Sequence, residues 1–240
     1  KAMARSVNVI AAQVTQKIGW NTVADYAYKC GIKSKLKLVP SVCLGSSDVS
    51  LLELVGAYGT FLNKGMSIEP SFITRIEEHN GKTIARFEPK KHKALSEEIA
   101  WLMVYMLKGG MDESGTTAEL WGYDLWHPYN ELGGKTGTSS NYSDGWFVGV
   151  SKDLVSGAWV GGEDRCIHFR SNSTQGEGAR TALPIYGKFM EKVYDDPLSG
   201  IVHSSFPKPT VKITVPYQCT SHEKKEKDST TSTEEKKETN

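Results

Sequence analysis

Two short stretches of the chain carry side chains that could do chemistry together. The first is Gly133-Gly134-Lys135-Thr136-Gly137-Thr138, followed by Ser139-Ser140-Asn141 and the aromatic run Trp146-Phe147-Val148-Gly149-Val150. Lysine supplies a cation and the threonines supply hydroxyl donors. The glycines let a second backbone approach closely. An extended strand with these groups on its rim suits an anionic, peptide-like substrate. The second stretch is Ser6-Val7-Asn8. A hydroxyl and a carboxamide two positions apart can enter one site if the backbone turns there. Each stretch alone also has a plain structural reading: a glycine-rich turn before a buried strand, and two polar residues on a wet helix face.

The elements that must position them are legible from periodicity. Residues 2–18 read as a helix, with Ile10, Val14 and Ile18 at four-residue spacing and Gly19 as its stop. A second helix is expected over residues 22–30, with Asn21 as a cap and Gly31 beyond its end. Residues 32–47 read as a loop. Ser50-Leu51-Leu52-Glu53 is a capping box opening a helix with Leu51, Leu54, Val55, Tyr58, Phe61 and Leu62 on one side. Residues 71–78 and 82–88 form strand-like runs around Asn80-Gly81, a strong hairpin signal. A helix over 97–108, capped by Ser96, carries Ile99, Leu102, Met103, Met106 and Leu107 and is expected to close at Gly109-Gly110. Three strands follow, over 131–139, 144–151 and 154–161. Their short connections predict antiparallel neighbours. A last helix covers 181–194, with Pro184 in its first turn. The expected fold class is α/β of the α+β kind, an antiparallel sheet packed against helices.

Composition narrows the function. Of 240 residues, 38% are hydrophobic, enough to bury a substantial core. The net charge of +1 gives no pointer to nucleic acid. No apolar run approaches the length of a membrane span. The cysteines, at 30, 43, 166 and 219, form no Cys-x-x-Cys pair. Their even count permits disulfides, but the chain lacks a dense cysteine framework, and free or buried thiols are expected. The histidines show no metal-ligand spacing, and no metal or cofactor is expected. The chain opens Lys1-Ala2-Met3-Ala4 inside a helical pattern, so it reads as a fragment whose start lies upstream. From residue 222 onward it is nearly all Glu, Lys, Asp, Ser and Thr, which predicts disorder.

Ser-x-x-Lys, a Ser-x-Asn element and Lys-Thr-Gly form the signature set of penicillin-binding proteins and class A β-lactamases. This chain has the last two, in that order. Ser6-Val7-Asn8-Val9-Ile10-Ala11-Ala12 resembles the Ser-x-Asn helix region of the bifunctional glycosyltransferase–transpeptidase class. So does the run from Leu51-Leu52-Glu53-Leu54 through Ala57-Tyr58-Gly59-Thr60-Phe61 to Gly65-Met66-Ser67-Ile68-Glu69-Pro70. Asp144-Gly145-Trp146-Phe147-Val148-Gly149 and Ala158-Trp159-Val160-Gly161 are similar to the strands after Lys-Thr-Gly in that class. Ala182-Leu183-Pro184-Ile185-Tyr186 resembles its closing helix. The resemblance implies part of a β-lactamase/transpeptidase-like fold. Residues 1–198 would be the C-terminal portion of the transpeptidase domain, and 199–240 a C-terminal extension.

In that family the nucleophilic serine of Ser-x-x-Lys precedes Ser-x-Asn. Here three matches follow it instead, at Ser34, Ser205 and Ser221, and read as chance. The nucleophile is therefore expected upstream, and this chain alone is expected to be inactive. The resemblance implies D,D-transpeptidase chemistry: serine acyl transfer on peptidoglycan stem peptides, with β-lactams as mimics that acylate and stay. It implies catalytic roles for Ser6, Asn8 and Lys135. Lys135 would attract the substrate carboxylate and hold Ser6 in a proton relay, while Asn8 would orient the substrate amide. Thr136 and Thr138 would bind the carboxylate, the Thr138 N–H would give half of an oxyanion hole, and Gly137 would leave room for the substrate. The implied partners are stem peptides, β-lactams and the missing N-terminal half of the domain. The implied place is the bacterial cell envelope, on the outer face of the cytoplasmic membrane, with the intact protein membrane-anchored. Alternatives are a penicillin-sensing receptor domain that binds without turnover, and a non-catalytic fragment. A phosphate-binding loop is excluded, because Tyr129 and Ile76 stand where its first glycine is required.

Overall fold

The structure, a computed structural model, describes residues 1–113, 115–170 and 174–218. The chain opens with a single helical turn. Val7 N–H donates to the Ala2 carbonyl at 3.0 Å and Ser6 N–H to the Met3 carbonyl at 3.1 Å. Ser6 has a φ of 53°. Paired bonds around a left-handed residue are a common way for a helix to end, usually with glycine in that place. α1 then runs Asn8–Ile18. The helix expected over 2–18 is thus broken at Ser6, because aliphatic spacing carries no mark of one reversed φ. Nor does the stripe of α1 face the core. Ile10, Val14 and Ile18 are 43%, 50% and 51% exposed, and the buried residue of α1 is Thr15.

Gly19, with φ 85°, separates α1 from α2 (Trp20–Lys29). Pro40–Leu44 form a 3-10 turn within the expected loop. α3 (Leu51–Leu62) starts at the expected capping box. Glu53 accepts from Ser50 N–H at 3.0 Å, from the Lys33 and Ser34 N–H groups at 2.8 Å each, and from the Ser34 hydroxyl at 2.7 Å. Burial opposes ionisation of Glu53, but these bonds prevail and bring its pKa from 4.5 down to about 2. A carboxyl with a depressed folded pKa contributes stability above its unfolded pKa and loses it as pH falls through the folded one. Glu53→Gln should therefore cost ~1–2 kcal/mol at pH 7. Urea titrations should show the gap closing as pH falls from 4.5 towards about 2. A gap of constant size would mean that the charge contributes nothing.

Between α3 and α4 lie two antiparallel pairs, one nested in the other. β1 (Met66–Ile68) pairs with β4 (Lys91–Lys93). Inside them, β2 (Arg75–Glu77) pairs with β3 (Thr83–Arg86). The expected turn forms, with Gly81 at φ 85° and Lys82 N–H donating to Asn80 Oδ1 at 2.8 Å. α4 (Glu97–Asp112) starts at Ser96, whose hydroxyl accepts from Ile99 N–H at 3.2 Å. It runs straight through Gly109-Gly110. A Cβ on Gly110 would lie 3.1 Å from Thr117 Oγ1 and 3.3 Å from the Gly134 carbonyl, so this glycine serves close packing rather than termination. The buried face of α4 is Ala100, Val104, Leu107, Gly110 and Met111. Of the expected stripe only Leu107 belongs to it, and Ile99 and Met106 are exposed. At Gly110 the helix makes room for the strand, and at Leu107 it is Gly133 of the strand that makes room for the helix.

β5 (Gly133–Thr138), β6 (Asp144–Val150) and β7 (Val155–Gly161) form an antiparallel sheet in that order, close to the expected spans. α5 (Ala182–Asp195) covers one face, with the Phe147 and Tyr186 ring centroids 4.8 Å apart. α3 and α4 cover the other, Leu51 and Val55 against Gly157 and Leu107 against Gly133. After α5 the chain runs back over α4 in an irregular path. Thr210 N–H donates to Glu97 at 3.0 Å, the Thr214 hydroxyl to Glu98 at 2.8 Å, and Tyr217 packs edge-on against Trp101 and Tyr105. The polar tail expected from residue 222 lies outside the described residues, as do Cys219 and Ser221. Cys30, Cys43 and Cys166 are free thiols. Among the described residues no helix is long and apolar enough to cross a membrane.

Candidate active site

β5 is an edge strand among the described residues, and its open edge faces the Ser6 turn. Lys135 Nζ donates to the Ser6 hydroxyl and, at 2.9 Å, to the carbonyl of Thr136. The two residues are 129 positions apart in sequence, so only the tertiary fold brings them together. Burial pushes the Lys135 ammonium below its ordinary range. A lysine so placed gives up its proton more readily than an exposed one.

The direction of the β5 backbone follows from its partners. The Gly134 carbonyl accepts from the Thr117 hydroxyl at 3.2 Å and the Thr136 carbonyl from Lys135, so both point away from β6. Ser139 N–H reaches back to the Asp144 carbonyl at 3.0 Å. Alternation along the strand therefore turns the Thr138 N–H and C=O outward as well. An extended peptide laid along this edge would meet them.

Side chains alternate too. Thr136 stands opposite Phe147 in the β5–β6 register, on the α5 face, while Lys135 stands opposite Val148 on the α3–α4 face. At an edge both faces border one opening. The Thr136 hydroxyl lies 2.8 Å from the Thr116 hydroxyl, and the Thr138 hydroxyl accepts from Gly178 N–H at 3.0 Å. A Cβ on Gly137 would come 3.1 Å from Cβ of Trp146, so packing across the sheet already asks for glycine there. Asn8 is the first residue of α1. It is exposed, and its side chain has no hydrogen-bond partner among the described residues.

The structure thus brings Ser6 and Lys135 into contact and places Thr136, Gly137 and Thr138 along the same edge. Asn8 follows Ser6 by two residues, and its side chain makes no hydrogen bond to this group among the described residues. Sequence reasoning missed Thr116 and Gly178. The available signals were a glycine followed by two hydroxyls at 115–117, and a Gly-x-Gly before the last helix. Two of the Ser-x-x-Lys matches are otherwise engaged: the Ser34 hydroxyl donates to Glu53 and the Ser205 hydroxyl to the Tyr129 carbonyl. Among the described residues no group of acidic, His or Cys side chains could hold a metal.

Residues 1–156 match the family described as the penicillin binding protein transpeptidase domain. Penicillin-binding protein 1A of Aquifex aeolicus (strain VF5) is 33% identical over 192 residues, which is 80% of this chain and 25% of that protein. The chain spans about a quarter of the length of the curated relatives it matches. The crystal structure of penicillin-binding protein 1A from Haemophilus influenzae superimposes with a TM-score of 0.75 at 23% identity, covering 87% of this chain and 35% of that one. The PonA1 protein from Mycobacterium tuberculosis, in complex with penicillin V, does so with 0.69 at 20% identity, covering 90% and 61%. These two show a shared fold. The Ser6–Lys135 contact therefore lies in a chain that belongs to the penicillin-binding protein transpeptidase-domain family.

Proposed function

We propose that this chain forms one wall of a peptidoglycan D,D-transpeptidase site, and that the Lys135–Ser6 hydrogen bond is the observation that carries this reading. The nucleophilic serine and its lysine come from a part of the protein outside this chain. The open apolar face of α1 supports that assignment, since a helix stripe of this kind normally packs against something. Residues 1–198 are the C-terminal part of the transpeptidase domain and 199–240 an extension. The remaining length of the relatives leaves room for a glycosyltransferase part and a membrane anchor. The site then faces the cell wall from the outer side of the cytoplasmic membrane.

The serine oxygen bonds to the carbonyl carbon between two D-alanines of a stem peptide as its proton passes to the lysine of its own motif, and the C–N bond to the terminal D-alanine breaks. The proton that the leaving amine needs passes through the Ser6 hydroxyl, with the Lys135 ammonium behind it. An amine of a second stem then attacks the acyl-ester and frees the serine. Lys135 attracts the terminal carboxylate, and the Thr136 and Thr138 hydroxyls bond it. The outward Thr138 N–H supplies half of an oxyanion hole, an interaction typically worth ~3 kcal/mol. Asn8 orients the substrate amide, and Gly137 keeps the strand low beneath it. β-Lactams acylate the same serine. That PonA1 has been solved with penicillin V supports the ligand class.

The test is transfer itself. The full-length protein, given a synthetic pentapeptide ending in D-Ala-D-Ala and an acceptor amine, should release D-alanine and form the amine adduct. A protein that is acylated by penicillin but releases no D-alanine would be a receptor instead.

A further inference from the structure

We infer that Thr116 is a positioning residue for the carboxylate end of the substrate, acting through Thr136; the inference rests on the transpeptidase reading. Three successive residues just after α4 touch both the turn before Ser6 and the strand β5. Gly115 packs so tightly on the turn before Ser6 that a Cβ would sit 2.1 Å from the Ala4 carbonyl oxygen. The Thr116 hydroxyl lies 2.8 Å from that of Thr136. The buried Thr117 hydroxyl donates to the Gly134 carbonyl at 3.2 Å. Residues 115–117 therefore run along the edge of β5 up to the point where it opens, and tie the Ser6 turn to the strand of Lys135.

A hydroxyl has one proton and two lone pairs. If Thr136 donates to Thr116, its proton is withdrawn from the cleft. If Thr116 donates to Thr136, the Thr136 proton is left for an incoming anion. A carboxylate only accepts, so its arrival selects the second arrangement, in which the bond from Thr116 fixes the Thr136 oxygen and polarises its proton towards the anion. Gly178 does the same for Thr138 at the other end of the motif. A backbone N–H can only donate, so Thr138 Oγ1 accepts there and its own proton is free. Two segments outside Lys-Thr-Gly thus hold both of its threonine hydroxyls, one of them fixed as an acceptor and the other free to become one when an anion arrives. Thr116 sits on a 3-10 turn (Thr116–Gly122) and is half-buried, so exchanging its hydroxyl for a methyl group keeps its shape and its packing.

The experiment uses the full-length protein and a pair of probes, benzylpenicillin and its methyl ester, which lacks the anion. Thr116→Val should lower the second-order acylation rate with benzylpenicillin up to about tenfold, the upper scale of one neutral hydrogen bond, and leave the rate with the ester unchanged. Thr116→Ser should restore the parent rate. Thr136→Val should lower the rate with benzylpenicillin at least as much, and adding Thr116→Val to it should cost nothing further, because the two act as one unit. An equal loss for acid and ester, no loss for either, or additive effects in the double variant would overturn the role of Thr116 alone. A parent protein acylated by neither probe would overturn the transpeptidase reading and this role with it.

Discussion

Replacing Lys135 by alanine in the full-length protein is expected to slow acylation by benzylpenicillin about 10²–10³-fold, the range seen when one charge-stabilising group is removed from an acyl-transfer site. The melting temperature should stay within a few degrees of the parent. The reason lies in what the side chain touches. Its ammonium bonds the Ser6 hydroxyl and the Thr136 carbonyl at the rim of the sheet. It fills no core cavity, and burial already works against its charge. Truncation therefore removes a cation from the cleft without opening a hole behind it. Stopped-flow acylation together with a thermal melt separates the two contributions. A variant that unfolds, with no kinetic defect beyond the unfolded fraction, would make Lys135 a structural lysine.

A loss of stability is expected at Gly178. A Cβ there would lie 2.4 Å from the Gly137 carbonyl oxygen and 2.5 Å from that of Trp146. Both are backbone atoms of paired strands and cannot swing aside. The same residue accepts from Leu183 N–H at 2.9 Å where α5 begins, so a shift would spread into that helix. Gly178→Ala should cost ~2–4 kcal/mol, or roughly 5–15 °C in melting temperature for a chain of this size. Gly109 is the contrast. It lies inside α4 with nothing within 4 Å of its Cβ position. Gly109→Ala should be neutral or stabilise by up to ~1 kcal/mol, through helix propensity. Equal melting temperatures for Gly178→Ala and the parent would contradict the tight seating of this segment on the sheet.

Much of the fold was legible because local chemistry and tertiary structure agree. The Ser50–Glu53 capping box, the Asn80-Gly81 turn and the three strands after residue 131 are each specified by residues close in sequence. The misreadings share one cause, which is that distant packing overrode a local signal. Gly109-Gly110 looked like a helix stop, but α4 keeps Gly110 small to reach Thr117 and Gly134. Ile10, Val14 and Ile18 looked like a core face, but about half of each side chain stays exposed. Ser6 looked like one more helical position, yet it takes the reversed φ that ends the first turn and turns its hydroxyl toward Lys135. A left-handed serine costs on the order of 1–3 kcal/mol and persists only where its surroundings hold it. Strain of this kind is common at active sites, and no hydrophobic period reveals it. The motif residues themselves were visible by type and order. Thr116 and Gly178 were not, since a Gly-Thr-Thr and a Gly-x-Gly do not by themselves say which distant strand they will meet.

The most direct test of the account is where penicillin attaches. Full-length protein labelled with a fluorescent penicillin, digested and mapped by mass spectrometry, should carry the label on a serine outside this 240-residue chain. The isolated chain should take up none, and Ser6→Ala or Lys135→Ala in the full-length protein should slow labelling without moving it. A label on any serine of this chain, or a full-length protein that takes up no label, would contradict the assignment of the Ser6–Lys135 cleft as one wall of an acyl-transfer site.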